Sequence, residues 1–146
     1  MTNSPRNNQG SISSDIGSTR LLSNWKVKDM VKIKRIYDEQ EMDDGIRVLV
    51  ERLWPRGVSK EAANLEAWLR DIAPSDSLRK WYGHEPAKWD EFQKAYLLEL
   101  QTPERVAALK KLKDWANAGN LTLLYAAKDT LRNSAVVLQR YLNTQL

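Results

Sequence analysis

Ile46-Arg47-Val48-Leu49-Val50-Glu51-Arg52-Leu53-Trp54-Pro55-Arg56-Gly57 is the stretch that decides the fold. Val48, Leu49 and Val50 are apolar without alternation, as in a strand covered on both faces. The pattern predicts a central strand over residues 46–53. Where that strand should end stand two arginines, a tryptophan, a proline and a glycine. Ligands of α/β proteins gather at the carboxyl ends of strands, so the same stretch marks the place to look for a site.

Working outward, Val31 to Tyr37 alternates apolar and basic residues, as a half-exposed edge strand does. Its lysines discourage pairing with other chains. Asp44-Gly45 signals a turn before the central strand. After it come roughly 66 residues that read as helix. Ser59 can cap a first helix, with Leu65, Trp68, Leu69 and Ile72 as its inward stripe, before Pro74. Ser75 can cap a short second one carrying Leu78, Trp81 and Tyr82. Pro86 suits the start of a third, with Trp89, Phe92, Tyr96 and Leu100 inward. Thr102-Pro103 starts a fourth carrying Val106, Leu109, Leu112 and Trp115 or Ala116, and Gly119 suits its end. Leu121 to Ala127 is a second buried strand, and a last helix is expected over residues 131–142, with Leu131, Ala135, Leu138 and Leu142 inward.

Strand, long helical crossover, strand, helix is the signature of a parallel pair in an α/β layer. The expected fold is therefore α/β: a small sheet with a parallel strand pair joined by a long helical crossover, and helices packed on the sheet. Both strand ends then share one crevice, bringing Arg52, Trp54 and Arg56 near Lys128, Asp129, Arg132 and Asn133. Residues 1–28, rich in Ser, Asn, Gly and Thr without a sustained period, read as a disordered extension. Residues 29–146 read as one α/β domain. An organelle transit peptide is the other reading of the extension, but it lacks a clear amphipathic arginine-rich helix.

Bulk properties narrow the functional classes. The net charge is +4, yet beyond residue 30 there are 19 basic and 17 acidic residues, too even a balance for non-specific nucleic-acid binding. The absence of cysteine excludes disulfides, thiolate nucleophiles and zinc-thiolate sites. No stretch approaches the roughly 20 apolar residues that span a bilayer, and no signal-peptide core is visible. A cytoplasmic protein that does not enter the membrane is the expectation. Six tryptophans, five of them between Trp54 and Trp115, read first as core packing.

Several motifs occur in a telling order: Arg47 to Gly57, Ala73-Pro-Ser75, Leu78-Arg-Lys-Trp-Tyr82, Gly83-His84, and Thr122-Leu-Leu-Tyr-Ala-Ala-Lys-Asp129 with Asn133 and Ala135. Over residues 31–143 the chain resembles the YeaO-like family, a group labelled domain of unknown function 488. The resemblance implies an α/β fold and a shared site, and no particular reaction. Glu51 stands where the family commonly has aspartate, so a carboxylate is retained.

The candidate site is built from the strand ends. Arg52 and Arg56 carry planar donor forks suited to phosphate or carboxylate. Gly57 allows close approach of the backbone, and Ser59 or Lys60 can add donors at a helix start. The competing reading pairs one arginine with Glu51 or Asp129. Lys128 can clamp an anion, or act as a nucleophile if burial lowers its pKa. Asp129 can cap the last helix, orient a substrate or accept a proton. The Asn133 amide can hydrogen-bond a ligand. His84, the sole histidine, lies in a loop and is the natural general acid or base. One histidine and no cysteine argue against a transition-metal site and leave room for magnesium on carboxylates and a bound phosphate. No dinucleotide-binding, Walker-type or nucleophile-elbow motif is present, and no cofactor is indicated.

Two functions remain. The first is binding of a small anionic ligand, with Arg52, Trp54, Arg56, Lys60, Lys128 and Asn133 as contacts and Asp129 and His84 as proton-transfer groups if the protein is an enzyme. The second is a non-catalytic module that contacts nucleic acid or a protein through the same basic-aromatic surface, with Trp54 and Trp81 stacking. So small a sheet leaves room for a homo-oligomer.

Overall fold

The structure is a computed structural model and describes residues 31–146. The expected extension at 1–28 lies outside the described residues. Four strands form one sheet in the order β1-β4-β2-β3: β1 Val31–Arg35, β2 Ile46–Leu49, β3 Ala67–Trp68 and β4 Leu121–Tyr125. Every pairing is parallel, with Ile33 and Val48 both level with Leu123. The expected parallel pair is thus β2–β4, and β1 is the expected edge strand.

Period-two alternation explains how the sheet is buried on both faces. Val48 and Val50 of the β2 segment join Leu121, Leu123 and Tyr125 in the larger core. Leu49 and Leu124 face the other way, into a smaller cluster with Ile36 and Ala63. On this second face Arg47 is buried against Asp44, with its Nη1 2.7 Å from Oδ2. Two further Arg47 donors hold the Ala63 carbonyl. Burial alone pushes the Asp44 carboxyl up, but bonds from Lys34, the Glu41 amide and Arg47 outweigh it and bring it down to about 2.

Among the described residues five α-helices surround the sheet: α1 Lys60–Ala63, α2 Asp76–Tyr82, α3 Trp89–Glu99, α4 Pro103–Ala118 and α5 Ser134–Gln145. The start signals act as expected. Ser59 Oγ accepts the Ala62 amide and Ser75 Oγ accepts the Leu78 amide. Pro103 opens α4, and Pro86 opens a 3-10 turn leading into α3. Tyr82, Phe92 and Tyr96 stack in sequence within the larger core. Of the tryptophans after residue 30, Trp89 and Trp115 pack partly buried against this core, Trp54 and Trp68 against the smaller cluster, and Trp81 is exposed.

Four expectations are corrected. The helix expected from Ser59 to Pro74 stops at Ala63, because Asn64 adopts a left-handed conformation, φ 49°. The chain then pairs with β2 through Glu66 N–H to the Arg47 carbonyl and Leu69 N–H to the Leu49 carbonyl. Leu65 and Trp68 consequently pack on the smaller cluster, and Leu69 and Ile72 on the larger, so the four never form one stripe. Strand β2 ends at Leu49 rather than Leu53, since its neighbour β4 departs there. Val106 is exposed, and α4 buries Arg105 and Ala108 instead. Leu131 is exposed too: α5 begins three residues later, capped by Asn133.

Candidate functional site

Beyond Leu49 the backbone ladder between β2 and β4 ends in two steps. Val50 N–H still donates to the Leu124 carbonyl at 3.1 Å. The next amide along β4, Ala126 N–H, donates instead to Glu51 Oε2 at 3.0 Å. A cleft of about 510 Å³ opens where the chains part, bounded by the Arg52–Arg56 loop, the Ala73–Pro74 turn, the end of α2 and the start of α5. Its size is that of a small-molecule site.

The walls are tied together by backbone acceptors. Arg52 Nε donates to the Pro74 carbonyl at 3.2 Å, linking the strand-end loop to the turn before α2. Tyr37 Oη donates to the Arg56 carbonyl at 2.9 Å. Arg35 donates to the carbonyls of Ala126 and Ala127, holding the end of β4. Glu99 accepts both the amide and the hydroxyl of Ser75, and so fixes the start of α2. Helix α2 therefore presents Arg79, Lys80 and Tyr82 to the cleft from a braced base.

Of the residues singled out from the sequence, Arg52, Trp54, Arg56, His84 and Asn133 line the cleft. Arg56 is exposed, and Arg52 is half-buried. The ion pairs expected as the competing reading are not theirs: Glu51 holds an amide, and Asp129 holds Arg132 at 2.9 Å. Trp54 is anchored by Nε1–H to the Val58 carbonyl and packs edge-on against Trp68 at 5.2 Å. His84 follows the helix-ending Gly83, and both residues have positive φ, 57° and 52°. For a histidine that backbone is uncommon, and such strain concentrates at functional positions.

Lys60, Lys128 and Asp129 lie outside the cleft lining. Lys60 is the exposed first residue of α1, and Lys128 is exposed. Asp129 does not cap the last helix. Its Oδ1 accepts the amides of Leu131 and Arg132, and its Oδ2 accepts Arg132 Nε. The Leu131 amide first, then Arg132, holds its carboxyl below the usual range. The cap is Asn133, whose Oδ1 accepts the Val136 amide while its Nδ2 donates to the Asp129 carbonyl.

Glu51, Arg79 and Lys80 also line the cleft. Burial pushes the Glu51 carboxyl up, opposed by the Ala126 amide and by the charges of His84 and Arg79. Arg79 pairs with Asp76 through Nη2, while its buried Nε makes no hydrogen bond among the described residues. The sequence signal for Arg79 and Lys80 was their place in the Leu78–Tyr82 motif. For Glu51 it was adjacency to Arg52 at the strand end. The carboxylates that lie close enough together to hold a cation, Glu41, Asp43 and Asp44, are elsewhere and already neutralised by Lys32, Lys34 and Arg47. Among the described residues no helix is long and apolar enough to cross a membrane.

The motifs that frame this cleft are those of a recorded family. A profile described as "Inactive DUF488-N3 subclade" matches residues 30–146. The chain belongs to the YeaO-like DUF488 family. It is similar to the "Uncharacterized protein YeaO" of Escherichia coli K12, 43% identical over 114 residues, covering 78% of this chain and 97% of the relative. It is also similar to the "Uncharacterized protein Rv3073c" of Mycobacterium tuberculosis H37Rv, 39% identical over 113 residues, covering 77% and 93%. No solved structure matches the chain.

Proposed function

We propose that this DUF488-family protein binds a small phosphate- or carboxylate-bearing ligand in the cleft at its strand ends, and does so without transforming it. The observation that carries the reading is the charge of the lining. Arg52, Arg56, Arg79 and Lys80, with His84, surround a cleft whose sole carboxyl among the described residues is Glu51. Arginine forks in a partly desolvated concavity are suited to phosphate and carboxylate oxygens.

Two observations favour binding over turnover. Asp129, one of the two proton-transfer candidates, spends both oxygens on the turn before α5 and lies outside the lining, which leaves His84 as the remaining candidate. The subclade matched by residues 30–146 is described as inactive. A nucleic-acid or protein surface is less favoured. The cationic groups converge in a concavity, and Trp81, an exposed aromatic, lies against Lys88 outside it.

A thermal-shift screen with nucleotides, sugar phosphates and small carboxylates tests the reading on wild type and Arg56→Ala. The guanidinium of Arg56 has no hydrogen bond or ion pair among the described residues, so its loss should spare the fold. A concentration-dependent rise in Tm for wild type, reduced in Arg56→Ala, is the expected result. No shift with any anion overturns it.

A further inference from the structure

Resting on that reading, we infer that Glu51 selects the ligand, and that the ligand is a hydroxyl-bearing phosphate ester whose phosphate meets the arginines and whose hydroxyls meet the Glu51 carboxyl. Glu51 Oε2 is held by the Ala126 amide. Its Oε1 makes no hydrogen bond among the described residues, although the residue lines the cleft. A carboxyl offers up to four acceptor positions, and Oε1 keeps its free ones in contact with solvent, where a bound ligand can take them up. Something in the ligand should complete them.

The chemistry of that partner follows from the surroundings. A second anion beside Glu51 would be repelled, so the ligand's negative end belongs with Arg52 and Arg56. A ligand cation would enter a lining already rich in Arg52, Arg56, Arg79 and Lys80, and would be repelled in turn. A neutral group that both donates and accepts fits, and hydroxyl is the simplest. Carboxylates at strand ends of α/β proteins hold sugar hydroxyls in this manner. A free sugar phosphate and the sugar phosphate portion of a nucleotide share this chemistry.

Calorimetric titration of wild type and Glu51→Gln with inorganic phosphate, ribose 5-phosphate and adenosine 5′-monophosphate decides it. Glutamine retains an acceptor for the Ala126 amide. Wild type should bind ribose 5-phosphate or the nucleotide about ten-fold more tightly than inorganic phosphate, the strength of a charged hydrogen bond. Whichever ester binds more tightly identifies the source, and either supports the inference. Glu51→Gln should bind inorganic phosphate at least as well as wild type and lose most of that preference. A preference unchanged in Glu51→Gln overturns the inference while leaving anion binding intact. So does equal binding of ribose 5-phosphate and methyl phosphate by wild type, a comparison that needs no variant. Failure of every anion to bind overturns both.

Discussion

Glu51 Oε2 accepts the Ala126 amide at 3.0 Å, so a side chain takes over where the backbone ladder between β2 and β4 ends. The exchange lets the two strands part without leaving an amide unsatisfied. It also sets a carboxyl in a cleft whose other charged side chains among the described residues are basic. Sheet architecture and site chemistry meet in that one bond.

Glu51→Ala should lower unfolding stability by about 1–3 kcal/mol, because the Ala126 amide loses its acceptor in a partly buried position. Glu51→Gln should recover most of the loss. Urea unfolding of the three proteins at pH 7 measures this, and equal midpoints would assign the bond no structural role.

Asp44 should make the protein acid-sensitive. Its carboxyl sits at about 2 in the folded state, below the ordinary 3.8. A lowered folded-state pKa contributes stability above the unfolded value, and that contribution disappears as pH falls through about 2. Between pH 5 and pH 2 the linked loss is about 2 kcal/mol. Glu51, raised by burial, acts in the opposite sense: its contribution is present at low pH and declines as pH rises through its folded value. Asp44→Asn should cost about 3 kcal/mol at pH 7, since Arg47 is left buried without its charge partner. It should also flatten the acid limb of a pH series of unfolding curves.

Gly45→Ala should be among the most damaging single changes. Gly45 has φ +64°, and a Cβ there would collide with the Asn120 backbone carbonyl, whose oxygen accepts the Ile46 amide at the start of the β2–β4 pairing. Both the strained φ and the clash oppose the substitution, for a loss of about 2–4 kcal/mol. Gly57→Ala isolates the first effect, having positive φ and open space around the added atom, and should cost about 1 kcal/mol. Thermal unfolding of both variants makes the comparison.

The bound ligand should be recovered unchanged. Incubation of the protein with the best-stabilising compound of the thermal-shift screen, followed by mass spectrometry, should show no new product above a protein-free control. Product formation abolished in a His84→Ala variant would replace binding with catalysis.

Much of the fold was legible because local signals and tertiary packing agreed. Val48 to Val50 and Leu121 to Tyr125 carry the both-faces-buried pattern, and they pair. Ser59, Ser75, Pro86 and Pro103 mark starts that the chain uses. The misreading of residues 64–72 has a specific cause. Leu65, Trp68, Leu69 and Ile72 have helical spacing, but β2 offers an open edge, and pairing with it overrides periodicity. Asp129 and Asn133 are both residue types that cap helices, and the start of α5 shows that Asn133 is the one that does so here, while still lining the cleft. Glu51 was legible only as a possible ion-pair partner. Its acceptor role depends on Ala126, 75 residues away, and no local pattern carries that distance.

The most direct measurement of the central claim is calorimetric titration of the wild-type protein and Arg56→Ala with inorganic phosphate at low salt. Saturable one-site binding by wild type, weakened about ten-fold or more in Arg56→Ala through loss of a charged bond, is the predicted result. Absence of saturable heat in wild type, or equal affinity in the two proteins, would contradict an anion site formed by this arginine at the strand ends.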